Sequence, residues 1–131
     1  MATATLGSLL LSSTNPARLR DFYAAAFDVK FDKTPGDGPG YDVLDFGGFY
    51  VFIDSRDDVS DRNPEPGRIV LNFDVDDARS TVKRLDEQGV TWLAEIEDRD
   101  GSLFATAVDP DGNYVQIIQL SEKHRAEVAG N

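Results

Sequence analysis

LLLSSTNPARLRDFYAAAFDVKF, residues 9–31, returns 61 residues later as VLNFDVDDARSTVKRLDEQGVTW, residues 70–92. Each copy opens on an apolar run of strand character and then reaches a polar residue suited to cap a helix. In the first copy Asn15 caps and Pro16 takes the first helical position. Leu19, Phe22, Tyr23, Ala26 and Phe27 follow at helical spacing. In the second copy the same overlay makes Asp76 the cap, gives Ala78, Val82 and Leu85 the apolar stripe, and leaves Gly89 as the helix stop. Three strand candidates follow each helix: VKFDK, YDVLDF and FYVFID, then VTWLAEI, LFATAV and NYVQIIQL. Sliding three residues further lays GGFYVFID over DGNYVQII, which sets Phe52 opposite Gln116. The chain is therefore predicted to be α+β, a tandem duplication of a βαβββ module.

Module one is expected over about 6–55, a charged, proline-bearing linker over 56–66, module two over about 67–121, and a polar tail over 122–131. All of these belong to one domain. The tail is expected to be frayed or a short terminal helix, with His124 exposed in it.

A chain of 131 residues buries roughly two-thirds of its unfolded surface, so an enclosed ligand-sized interior has to be shared between modules or with a second chain. With 24 acidic against 13 basic residues the formal charge is −11, which argues against nucleic acid as a partner. The absence of cysteine excludes disulfides, thiolate metal sites and a cysteine nucleophile. No apolar run is long enough to span a membrane, and the N-terminus lacks the basic region of a signal peptide, so a cytoplasmic location is expected. With one histidine and no GxSxG elbow, no nucleophilic triad can be assembled from the sequence. Glu95, Glu97, Asp98 and Asp100 are read as an acidic cluster around a solvated turn.

The two modules, the Phe-Tyr pair at 22–23, the stretch FDVDDAR (73–79) and DPDGN (109–113) together resemble the vicinal oxygen chelate superfamily, the glyoxalase, bleomycin-resistance and extradiol-dioxygenase group. The resemblance implies cupped mixed sheets around a shared pocket and a homodimer. It also implies four metal-ligand positions in metal-dependent members, which fall here on Leu9, Phe52, Val70 and Gln116. Three of these are hydrocarbon and the fourth is a neutral amide, so no metal and no cofactor is expected.

Strand alternation then predicts an inward set of Leu9, Leu11, Tyr50, Phe52, Val70, Asn72, Tyr114, Gln116 and Ile118, with Trp92 and Phe104 as further candidates. This set suits a flat organic ligand held by a few hydrogen bonds, and each member also fits plain core. Trp92 is either a stacking platform or a core residue, and Phe31 at the matching junction hints that it packs on its own helix. No catalytic residue is assigned. Tyr50, Tyr114 and Asp54 are the only acid-base candidates.

The reading that follows is metal-independent binding and sequestration of an aromatic small molecule, an antibiotic or related natural product. The alternative is a metal-independent lyase, isomerase or cyclase. A third possibility is a structural domain with a filled pocket.

Overall fold

The computed structural model describes residues 3–36, 38 and 40–129. The chain divides into two compact units, residues 1–61 and 62–131. The first contains β1 (Ser8–Ser13), α1 (Pro16–Phe27), β2 (Phe31–Lys33), β3 (Asp42–Phe46) and β4 (Phe49–Ser55). The second contains a single 3-10 turn, then β5 (Val70–Asp74), α2 (Ala78–Glu87), β6 (Thr91–Arg99), β7 (Ser102–Val108), β8 (Tyr114–Gln119) and α3 (Glu122–Ala129). Each unit forms a mixed four-stranded sheet, ordered β1-β4-β3-β2 and β5-β8-β7-β6. This α+β architecture is the expected pair of βαβββ modules.

In both sheets the first strand runs parallel to the last, and the other pairings are antiparallel. A helix has to make that parallel crossover, and it covers one face of its own sheet. Under α1 lie Leu44, Val51 and Ile53, all nearly inaccessible, with Phe46 edge-on to Phe27 of the helix at 5.7 Å. Under α2 lie Ala105, Ala107, Val115 and Ile117. Gln119 closes the second arrangement by accepting the Ala78 N–H at 2.7 Å.

The turns follow the glycines. Gly47 and Gly48, both at positive φ, join β3 to β4 between paired Phe46 and Phe49. Asp100 and Gly101, also at positive φ, join β6 to β7 between paired Arg99 and Ser102, as a two-residue hairpin requires. Strand β6 thus runs to Arg99 and absorbs Glu95, Glu97 and Asp98, which were expected around a turn; only Asp100 belongs to the turn itself.

The caps correct the internal repeat. Asn15 accepts the Arg18 N–H, whereas in the second module Asp77, not Asp76, accepts the Ser80 N–H at 3.2 Å and the Ser80 hydroxyl at 2.7 Å. The first strand and cap therefore repeat at an offset of 62 rather than 61, as do the helix starts Pro16 and Ala78. Between the cap and the equivalent strand residue module two has one residue fewer, its helix being ten residues long against twelve, which restores 61 for Phe31 and Trp92. A one-residue slip moves every strand side chain to the other face. The structural counterparts of Leu9 and Leu11 are accordingly Leu71 and Phe73, on the helix-covered side.

The tail is a helix that folds back. Its N-cap, Ser121, accepts the His124 N–H at 3.1 Å, and the Ser121 N–H donates to Ser102 Oγ at 2.8 Å. His124 is not the exposed residue expected, because its side chain is only 27% accessible and its Nδ1 meets Ser102 Oγ. Residues 130 and 131 of the predicted tail lie outside the described residues.

Two stability measurements check this register. Leu11→Ala is expected to lower unfolding free energy by about 2 kcal/mol and Leu10→Ala by less than about 0.5 kcal/mol, since only Leu11 faces the helix; equal losses in urea melts would contradict the assignment. The hydrogen bonds from Ser80 hold the Asp77 carboxyl below its ordinary value. A lowered folded-state pKa gives stability that is present above the unfolded value and lost as pH falls through the lowered one. Asp77→Ala should therefore shift the urea midpoint down at pH 7 with a gap that closes in acid, while Asp76→Ala leaves the midpoint in place.

Candidate functional site

With one face of each sheet under a helix, the chemistry left for function lies on the other face. In the first module the pairings place Leu10 beside Phe52 and Ser12 beside Asp54. On the far side of β4 they place Val43 beside Phe52 and Asp45 beside Tyr50. Side chains of paired residues share a face, so this open face carries Leu10, Tyr50, Phe52, Val43, Asp45 and Asp54. Tyr50 is tilted against Phe52 and Tyr41 is edge-on to it, each with ring centroids 6.4 Å apart. Leu10, Tyr41 and Tyr50 remain more than 40% exposed, which is unusual for a cluster of large apolar residues. A pocket of about 570 Å³ opens here, lined by Val43, Asp45, Tyr50 and Phe52 and by residues of β2 and the loop after it. The volume is in the range of small-molecule sites.

In the second module the open face holds three rows across the sheet. Val70, Tyr114 and Val108 make the first; Asn72, Gln116 and Thr106 the second; Asp74, Ile118 and Phe104 the third. Of the sequence-derived set, Val70, Asn72, Phe104, Tyr114 and Gln116 thus share the open face of one sheet, and Tyr50 and Phe52 that of the other.

Leu9, Leu11 and Trp92 do not belong to these faces. Leu9 and Leu11 pair with Val51 and Ile53 and lie under α1. Trp92 pairs with Ala107 and donates its indole N–H to Asp86 of α2 at 2.7 Å. Phe31 behaves alike, lying under the Arg20 guanidinium of α1 at 4.4 Å. Sequence reasoning missed Leu10 and Asp45, although the mismatch between caps at 15 and 77 carried the signal for Leu10. It also left the inward list without a carboxylate, whereas Asp54 stands on the open face and accepts a hydrogen bond from Ser12 at 2.7 Å.

One catalytic-looking group arises from folding alone. Ser102 Oγ meets His124 Nδ1, and His124 Nε2 lies 3.7 Å from Asp100 Oδ2. Ser102 is fully buried and its oxygen already accepts the Ser121 N–H, so no substrate carbonyl can reach it. These contacts anchor α3.

The glyoxalase-like domain family matches residues 8–118 of this sequence. The chain belongs to that family, within the vicinal oxygen chelate superfamily. No curated protein matches the sequence. Among solved structures, a glyoxalase/bleomycin resistance protein/dioxygenase family enzyme from Burkholderia phytofirmans PsJN has a TM-score of 0.72 at 18% identity, covering 90% of this chain and 100% of its own. TioX from Micromonospora sp. ML1 has a TM-score of 0.68 at 18% identity, over 88% of this chain and 98% of its own. The fosfomycin resistance protein FosX from Mesorhizobium loti has a TM-score of 0.68 at 14% identity, over 95% and 98%. Likeness at these identities is one of fold.

Metal-dependent members of the superfamily would draw ligands from the first and last strand of each module. With the register corrected, these positions hold Ser8, Phe52, Val70 and Gln116. One hydroxyl and one amide give neither the charge nor the coordination number that a divalent cation needs to leave water, so the residues do not fit a resident ion. Among the described residues no three histidine, aspartate or glutamate side chains gather into a metal set. The expected result is a thermal midpoint unmoved by EDTA or by stoichiometric Mn²⁺ or Zn²⁺; a rise of several degrees with either ion would show specific binding by linkage and contradict this reading.

Proposed function

We propose that the protein binds and sequesters an aromatic small molecule, an antibiotic or related natural product, without a metal and without transforming it. The observation that carries this reading is the Tyr41–Tyr50–Phe52 cluster, with both tyrosines exposed, at a pocket of about 570 Å³. Stacking on such rings is worth about 0.5–1.5 kcal/mol beyond area burial, and the surrounding face is apolar enough to take a flat ligand. The naming of FosX as a resistance protein supports the same direction. The proposal includes a homodimer and a cytoplasmic location. Among the described residues no helix is long and apolar enough to cross a membrane.

Asp54 favours a second reading. A half-buried carboxylate on the same face as Tyr50 and Phe52 is a candidate base for a metal-independent lyase, isomerase or cyclase. Native mass spectrometry of the protein incubated with aromatic natural products separates the two. Sequestration predicts ligand recovered at its input mass, and Tyr50→Ala or Phe52→Ala weakening capture by about tenfold. Accumulating product of altered mass, lost in Asp54→Asn, would establish the enzyme instead.

A further inference from the structure

Asn72, Gln116 and Thr106 stand side by side on three adjacent strands, with Gln116 central and paired to both neighbours. Strand spacing puts them about 4.8 Å apart in a line across the open face. Gln116 and Thr106 are half-buried and Asn72 is exposed. Among the described residues, none of these three side chains makes a hydrogen bond within the chain, although other polar side chains of the module do, as at Asn63, Asn113 and Gln119. Two amides and a hydroxyl therefore present unspent donors and acceptors between two largely apolar rows.

We propose that this row is a ligand-reading element in its own right, on the open face of the second module's sheet, and that it reads a neutral edge on a small molecule in which a donor and an acceptor lie adjacent, as in a lactam, a cis-amide or an imide. The inference rests on the binding function proposed above and names the ligand class.

A carboxamide offers C=O and NH₂ side by side and matches such an edge with two parallel hydrogen bonds, in either orientation after a flip of the amide. A carboxylate ligand would gain no ion pair, because the row carries no cation and the chain has a net charge of −11. A cation would find no carboxylate in the row itself. Neutral recognition also gives selectivity, because a ligand that lacks the donor leaves a half-buried amide group dehydrated and unpaired.

The probes for the test are 1H-quinolin-2-one and its N-methyl derivative, which have nearly the same aromatic area and differ in the lactam donor. Titration followed by ¹⁵N-resolved NMR is expected to shift the side-chain NH₂ signals of Gln116 and Asn72 with both probes, since both keep the carbonyl, and to do so at lower concentration with the lactam. The lactam should bind at least about tenfold tighter. Gln116→Leu should erase that preference while keeping affinity for the N-methyl compound, with Val115 and Ile117 amide signals reporting an intact sheet. Should that variant misfold, Asn72→Val at an exposed position is expected to reduce the preference by a smaller factor.

Equal affinity for the two probes, or a preference unchanged in Gln116→Leu, would overturn the inference and leave aromatic binding standing. Failure of both probes to bind at millimolar concentration would overturn the inference together with the function on which it rests.

Discussion

In each module the first strand lies parallel to the last, and the hydrogen bonds of that ladder decide which side chains the helix covers. Leu9 and Leu11 go under α1 because they pair with Val51 and Ile53, and Leu71 and Phe73 go with Val115 and Ile117 for the same reason. Burying a large aliphatic side chain contributes about 1.5–3 kcal/mol, so a register that exposed these rows would forfeit the core of its module. Everything available for recognition is then left on the opposite face.

The two open faces have diverged in chemistry. The first is aromatic and aliphatic, edged by Asp45 and Asp54, and offers stacking. The second interposes an amide and hydroxyl row between largely apolar rows, and offers directional hydrogen bonds without charge. The positions that hold a metal in metal-dependent members carry this divergence, since a serine, a phenylalanine, a valine and a glutamine do not make the donor set of a divalent cation.

The sequence made much of this legible. Helical stripes and the order of the strands followed from periodicity and the internal repeat, and Val70, Asn72, Tyr114 and Gln116 were set on one face by alternation counted from the ligand positions that the family resemblance supplied. The error at Leu9 and Leu11 came from one residue. Asp76 and Asp77 are both of a residue type that can cap, and the overlay at 61 was anchored correctly at Phe31 and Trp92, beyond the shorter helix. Only the hydrogen bond from Ser80 tells the two aspartates apart. The docking of His124 on Ser102 depends on a chain reversal between residues 22 apart, which no local pattern encodes.

Thiol labelling tests the division of faces most directly, because the parent chain has no cysteine. Single cysteines at 9, 10, 11, 51, 52 and 53 would be reacted with a small maleimide under native conditions. The account predicts fast reaction at 10 and 52 and, at 9, 11, 51 and 53, rates at least about a hundredfold slower, limited by opening of the sheet from its helix. Fast labelling at 9 and 11 with protection at 10 would contradict it, and would return the first strand to the face that carries Tyr50 and Phe52.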